Sequence, residues 1–321
     1  MRRLALGLLA VLLLAMPAAA QDRVSLRLNW LLYGFHMPFH LGVERGFYRE
    51  EGIDLTIGEG QGSARAVQLV AAGSDTFGLS DGSSIINGAV RGAPVQAVMG
   101  VMNRSPFAII VRADSGVRRL QDLAGRTLAA TTGEAGLVIF PALLRANGMA
   151  PDAIRFLRVD GAGKLFATLE NRTVGLLGGI ENQALILPQR GVEAVNFLYA
   201  DLGANTMGLA IHASRDTIAR NPDMVRRFIR ATQRSFETAE REPEAAITAG
   251  LRVKPDLDRA LSLAQLRAGL PLVRSARGAD RPIGWMAPDD WADTLNLMRE
   301  FQELRTDLPP DAFFTNRLLP Q

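Results

Sequence analysis

DLTIGEGQGSARAVQLVAAGSDTFGLSD, residues 54–81, decides the fold class, because it passes from a strand through a tight turn into a helix and out into a second strand. Its ends, DLTIGEG and TFGLSD, are short, apolar and β-rich. Between them SARAVQLVAAG has helical length and an apolar side. Two strands joined by a helix make the unit of a parallel sheet. The turn GEGQGS, residues 58–63, has the glycine density of a phosphate loop but lacks the G-K-[ST] ending, and Ser63 stands where the last glycine of G-x-G-x-x-G belongs. It reads as a strand end, a tight turn and a Ser63 cap on the next helix. The amides at such a helix start suit a polar ligand.

The alternation continues on both sides. SLRLNW, VQAVMG, FAIIVRA, TLAATTG, IRFLRVD, VGLLGGIE and VNFLYAD read as buried strands, with EAGLVIFPALLRANG and GKLFATLEN as helices among them. From Ser25 to about Asp201 this predicts an α/β protein with mainly parallel sheets covered on both faces, a design that binds ligands at the carboxyl ends of its strands. After MGLAIHAS, residues 207–214, helices take over. Asn221 and Pro222 open one whose Val225, Phe228, Thr232 and Phe236 share a face; others follow at Leu257–Leu270 and from Pro288, carrying Trp291, Leu295, Met298 and Phe301. This part reads as a helical wrap returning to the first lobe. No internal repeat, charge block or low-complexity linker interrupts the chain.

Composition narrows the class. The first twenty residues, MRRLALGLLAVLLLAMPAAA, have the basic start, apolar middle and small-residue end of a secretory signal peptide, 1–20, with cleavage expected after Ala20 and a periplasmic destination. The apolar run is short for a membrane span of ~20 residues, and stable membrane insertion is not expected. With no cysteine there is neither a disulfide nor a lipid-modified cysteine. The remaining ~300 residues suffice for two lobes of ~150 each. Net charge is +3, two units of which belong to Arg2 and Arg3 in the signal, so nothing suggests a nucleic-acid partner. Lys164 and Lys254 are the only lysines, a skew that fits genome composition better than phosphate recognition.

LNWLLYGFHMPFH, residues 28–40, gathers Trp30, Tyr33, Phe35, His36, Phe39 and His40 in a chain with only 3 Trp, 3 Tyr and 3 His. Core packing needs no such polar-tipped rings, so they point to a face that meets a ligand. His36 and His40 have the i, i+4 spacing of a helical metal pair. However, no glutamate follows the first as in H-E-x-x-H, and the remaining histidine is His212, so no metal is expected. There is no G-x-S-x-G. Asp81 in LSDGSS and Glu181 in GGIENQ follow strands, where general acids and bases are found, but Asp81 equally suits a helix cap and Glu181 a helix start. No catalytic set assembles and no cofactor is expected.

LNW, FHLGVERGFYREEGIDLTI, GQGSARAVQLVAAGSDTFGLSDG, RGAPVQAV, SPFAIIVRADSGVRRLQDLAGRTLA, FPALLRANG and NPDMVRRFIRAT together resemble the periplasmic solute-binding proteins of ABC importers, in the thiamine-pyrimidine-precursor, taurine, sulfonate and nitrate superfamily. The resemblance runs from about residue 25 to about residue 300. It implies a two-lobed, type II-like periplasmic-binding-protein fold with crossings near Asn103–Phe107 and Gly203–Gly208. Lobe one would take residues 22–104 plus 206–321 and lobe two residues 105–205, with the ligand cleft between them. It implies one cleft wall from Trp30, Tyr33 and His36, with Phe39 and His40 turned inward. The opposing wall would draw on Ser80, Asp81, Ser105, Thr131, Thr132, Glu181 and Asn182. GFYREEGIDLTI is then a structural turn.

The implied role is that of a monomeric, non-enzymatic capture protein delivering a small solute to an ABC permease and its ATPase subunits. The expected solute is a neutral or amine-bearing planar ring such as a thiamine pyrimidine precursor. Alternatives are taurine or another sulfonate, nitrate, a pyrimidine-precursor enzyme on the same fold, and a periplasmic sensor lobe. The chain lacks the Pro-Asn stretch of the pyrimidine-precursor binders and the cysteine-rich motif of the fungal pyrimidine synthases; the latter weighs against an enzyme.

Overall fold

The structure, a computed structural model, describes residues 21–320; the expected signal peptide lies outside them. Ten strands form two five-stranded sheets. The first holds β1 (Asp22–Arg27), β2 (Ile53–Gly58), β3 (Phe77–Asp81), β4 (Val95–Met102) and β10 (Leu209–Ser214), in the order β2-β1-β3-β10-β4. The second holds β5 (Phe107–Arg112), β6 (Thr127–Ala130), β7 (Arg155–Arg158), β8 (Gly175–Gly179) and β9 (Ala194–Leu198), in the order β7-β6-β8-β5-β9. The chain leaves the first sheet between β4 and β5 and returns between β9 and β10.

The sheets are mixed, not mainly parallel. β1 runs parallel to β2 and β3, and β6 runs parallel to β7 and β8. β10 is antiparallel to both β3 and β4, and β5 is antiparallel to both β8 and β9. The reversal follows from the crossings: a strand that enters a sheet directly from the other lobe has no crossover helix to turn it parallel.

The strands bury because their residues allow nothing else. Phe77–Asp81 is buried along its whole length, and so is nearly all of Val95–Met102, as expected for sheets covered on both faces. The helical segment covers the first sheet. In helix 222–241 Phe228 stacks on Phe77 with ring centroids 4.0 Å apart, and Phe236 meets Phe39 at 5.1 Å. Each such pair contributes ~0.5–1.5 kcal/mol beyond area burial. Pro222 occupies the first turn, while the side chain of Asn221 makes no capping bond. Ser63 is likewise not a cap. Gly62, with φ of 114°, precedes helix 63–71, and Ser63 Oγ instead accepts the Asp81 amide at 3.3 Å.

The wrap reaches further than the first lobe. Helix 288–302 packs on helix 135–146 beside the second sheet, where Arg145 Nη1 donates to the Phe301 carbonyl at 2.6 Å and Gln302 donates to the Val138 carbonyl.

Candidate ligand-binding site

The loops leaving the carboxyl ends of β1, β2, β6 and β8 converge on a small cavity of about 60 Å³ between the sheets. The backbone holds the first wall in place: Gly60 N donates to Trp30 O at 3.0 Å, and Gly62 N donates to Asn29 O at 2.8 Å. This wall presents Trp30 and Tyr33. From the second lobe come Glu134, Lys164, Glu181, Asn182 and Gln183.

Polar contacts join the two walls. Tyr33 Oη donates to Glu181 Oε1 at 3.0 Å. The other carboxylate oxygen, Oε2, is buried with no hydrogen-bond partner. Burial raises the Glu181 pKa to about 7, against the opposing pull of its backbone amide, Tyr33 and Lys164. Burial, together with the Glu181 charge, pushes the Tyr33 phenol well above its ordinary range. Lys164 is 1% exposed; its Nζ donates to Glu134 Oε2 and, at 2.8 Å, to the Leu177 carbonyl. The same ammonium lies 4.5 Å from the centroid of the Trp30 ring. Glu134 Oε1 accepts the Thr131 amide at 2.9 Å, so both ions have further partners, as a buried pair requires.

Asn182 Oδ1 accepts from Gln265 Nε2 at 2.8 Å, and Gln265 Oε1 accepts the Gly34 amide at 3.0 Å. A second cavity of about 390 Å³ lies on the outer side of Trp30, with Thr131 and Thr132 in its lining.

Trp30, Tyr33, Glu181 and Asn182 thus line the inner cavity, and Thr131 and Thr132 the outer one, with Trp30 common to both. Four residues expected in the walls line neither. His36 is fully buried, its Nε2 2.9 Å from Asn29 Oδ1 and its ring edge-on to Tyr33 at 4.3 Å, so it supports the wall from behind. Burial lowers its pKa to about 3, and lowers that of His40 to about 4. Ser80 Oγ lies 3.0 Å from both the Ser63 carbonyl and His212 Nε2. Asp81 caps helix 82–90 through the Ser84 amide at 3.1 Å and the Ser83 hydroxyl. Ser105 Oγ accepts the Phe107 amide at 3.4 Å, while its neighbours Pro106 and Phe107 reach the cavity.

Sequence reasoning missed Glu134 and Lys164. The available signals were a lone glutamate in TTGEAG directly after a strand and one of only two lysines in an arginine-rich chain. Among the described residues no group of three or more His, Cys, Asp or Glu side chains could hold a metal ion, and no helix is long and apolar enough to cross a membrane.

Two mixed α/β lobes with converging loops between them define the periplasmic-binding-protein fold. Solved structures agree. The alkanesulfonate-binding protein SsuA from Xanthomonas axonopodis pv. citri, bound to MOPS, superposes with a TM-score of 0.71 at 17% identity, covering 92% of this chain and 98% of that one. The periplasmic nitrate-binding protein NrtA from Synechocystis gives 0.68 at 13% identity, covering 93% and 87%. The chain belongs to the NMT1/THI5-like family, which it matches over residues 34–246. It is 26% identical to the riboflavin-binding protein RibY of Chloroflexus aurantiacus, covering 100% of this chain and 98% of that protein. It is also 26% identical to a 4-amino-5-hydroxymethyl-2-methylpyrimidine phosphate synthase of Legionella pneumophila, over 94% of each.

Proposed function

We propose that this protein is the periplasmic solute-binding component of an ABC importer, capturing a flat, amine-bearing heterocycle in the cleft and handing it to a membrane permease driven by separate ATPase subunits. The observation that carries the ligand class is Glu181, whose buried Oε2 is without a partner in a cavity also lined by the Trp30 ring. A ring N–H or exocyclic amine supplies the missing donor, and an indole supplies a stacking surface. The carboxylates of Glu134 and Glu181 line the same cavity as the single ammonium of Lys164. Two carboxylates against one ammonium disfavour nitrate or a sulfonate. The two crossings serve as the hinge, with lobe one as 22–104 plus 206–321 and lobe two as 105–205. A ligand touching both walls then selects the closed form that the permease reads.

Calorimetry with 4-amino-5-hydroxymethyl-2-methylpyrimidine, taurine and nitrate tests the assignment. The pyrimidine should bind, and Glu181→Gln should weaken it roughly ten-fold, because hydrogen bonds to an ionised group contribute about 1.5–3 kcal/mol. Tight taurine or nitrate binding that survives Glu181→Gln would reverse the ligand class.

A second reading, an enzyme on the same fold, is favoured by the curated relatives named as pyrimidine phosphate synthases. Recovery of the bound solute chemically unchanged after long incubation separates capture from catalysis.

A further inference from the structure

Helix 288–302 is held at its two ends by different lobes. Near its start Trp291 stacks on Phe314 with ring centroids 5.3 Å apart. The segment carrying Phe314 pairs with the edge of the first sheet: the Ala97 amide donates to the Phe313 carbonyl and the Thr315 amide to the Ala97 carbonyl, each at 2.9 Å. In mid-helix Thr294 Oγ1 accepts the amide of Met207, on the chain returning to β10, at 2.7 Å. The far end is fastened to the second lobe. Arg145 of helix 135–146 donates to the Phe301 carbonyl and pairs with Glu303 at 3.2 Å, and Gln302 donates to the Val138 carbonyl.

The apolar packing is shared in the same way. Trp291, Leu295 and Met298 are fully buried in one contiguous apolar cluster that takes Val70 and Ile85 from helices of the first lobe and Ile139 and Leu143 from helix 135–146. On the outer flank a groove of about 510 Å³ separates Val90 and Arg91 from Val138 and Pro141, with residues 302–305 as its third side. Helix 288–302 ends beside this groove in a left-handed turn at Glu303, with φ of 57°, where the Leu304 amide donates to the Met298 carbonyl at 3.2 Å. A non-glycine residue adopts that conformation at a cost, and here the turn sets Gln302 and Glu303 against helix 135–146.

We infer that helix 288–302 is a strap joining the lobes independently of the two crossings, and that the lobes open by pivoting about its far end, so that Trp30 and Gly161 separate while helix 135–146 stays attached. This rests on the closure reading above and gives it a pivot. Lobes tied only by two extended strands can twist as well as open. A rigid helix packed on both confines the motion to one axis and limits how far the cleft gapes. Detaching the far end instead would bring the apolar side of Met298 and Phe301 into water, a cost that pivoting avoids.

Small-angle scattering tests this on the purified protein, free and with 4-amino-5-hydroxymethyl-2-methylpyrimidine, in wild type and two variants. Arg145→Met with Gln302→Ala loosens the far end while keeping an unbranched side chain in place of the arginine stem. In the second variant, Val138→Cys and Gln302→Cys are joined by a short flexible bismaleimide, the chain having no other cysteine to react. The loosened variant, checked for wild-type circular dichroism, should have a larger free radius of gyration than wild type. The pyrimidine should bind it about three- to ten-fold more weakly, since the binding-competent form is then less populated. The crosslinked variant should contract and bind as wild type does, because the strap stays attached throughout; it carries the test if the loosened variant fails to fold. Wild-type radius and affinity in a folded loosened variant would overturn the strap. So would a crosslinked variant that no longer contracts or binds, because the far end would then have to let go. If wild type itself does not bind the pyrimidine, the flat-ring reading falls while the free-state radii still decide the strap.

Discussion

Gln265 and Asn182, 83 residues apart, share a buried hydrogen bond of 2.8 Å that ties helix 259–269 to the loop after β8. Because Gln265 also accepts the Gly34 amide, its amide group is used at both ends. It lines neither cavity.

Gln265→Met keeps the length of the side chain and removes both bonds. Opening the lobes lets water satisfy Asn182, whereas closing them strands it, so the substitution should penalise the closed form selectively. Affinity for the cleft ligand should fall about ten-fold, in line with ~1–3 kcal/mol for a stranded buried polar group. Calorimetry gives the affinity, and small-angle scattering with saturating ligand reports whether the radius of gyration still contracts. Wild-type affinity in Gln265→Met would show that the bond does not hold the lobes together.

Glu181 makes the stability of the free protein depend on pH. Its folded pKa of about 7 lies above the ordinary 4.5, so between these values the folded chain holds the proton more tightly than the unfolded chain does. This contribution is fully present below about pH 4.5, is lost as pH rises towards 7, and is flat above. Its size is on the order of 3 kcal/mol. Denaturation midpoints between pH 5 and 8 should therefore decline more steeply for the wild type than for Glu181→Gln; parallel curves would contradict the assignment.

Lys164→Met leaves Glu134 as a buried charge without its ammonium. Removing one partner of a buried pair costs about 3–5 kcal/mol, so this variant should be strongly destabilised in urea. Adding Glu134→Gln should recover most of the loss, since the pair itself contributes little net stability. A double variant as unstable as the single one would mean that Lys164 acts through packing instead.

Gly161 faces Trp30 across the cleft: a Cβ placed there would lie 2.8 Å from Trp30 Cζ2. Gly161→Ala should leave the unfolding free energy within about 0.5 kcal/mol of wild type, since an open cleft accommodates the methyl group. Ligand affinity should drop because closure drives that methyl into the indole. Titration following Trp fluorescence, paired with urea melts, distinguishes the two effects; equal affinity would show that the indole moves aside freely.

The strands were legible because each carries its own evidence. Runs such as FAIIVRA and VGLLGGIE are apolar, short and bounded by turn residues, and each became a strand. Their direction was not legible. Whether β10 lies parallel or antiparallel to β3 depends on which end of the sheet the returning chain enters, and nothing within MGLAIHAS records that. The ring wall was legible in the same local way, since Trp30 and Tyr33 are conspicuous beside a strand end.

By itself the sequence determined an α/β chain with a helical C-terminal segment and candidate ligand groups at strand ends, because these follow from local periodicity, turn chemistry and residue type, while its two lobes were expected from length and from the family resemblance. Only the tertiary structure decided which candidates meet. Ser80 and Asp81 close a strand and Glu181 lies just after one, yet Asp81 spends its carboxylate on the cap of helix 82–90 while Glu181 is turned against Tyr33 and keeps one oxygen unpartnered. Glu134 with Lys164, and Asn182 with Gln265, are paired across 30 and 83 residues of chain. The first pairing exists only once the second lobe has folded, and the second only once helix 259–269 meets the loop after β8; in both places burial makes an unpaired polar or charged group costly enough that it must find a partner.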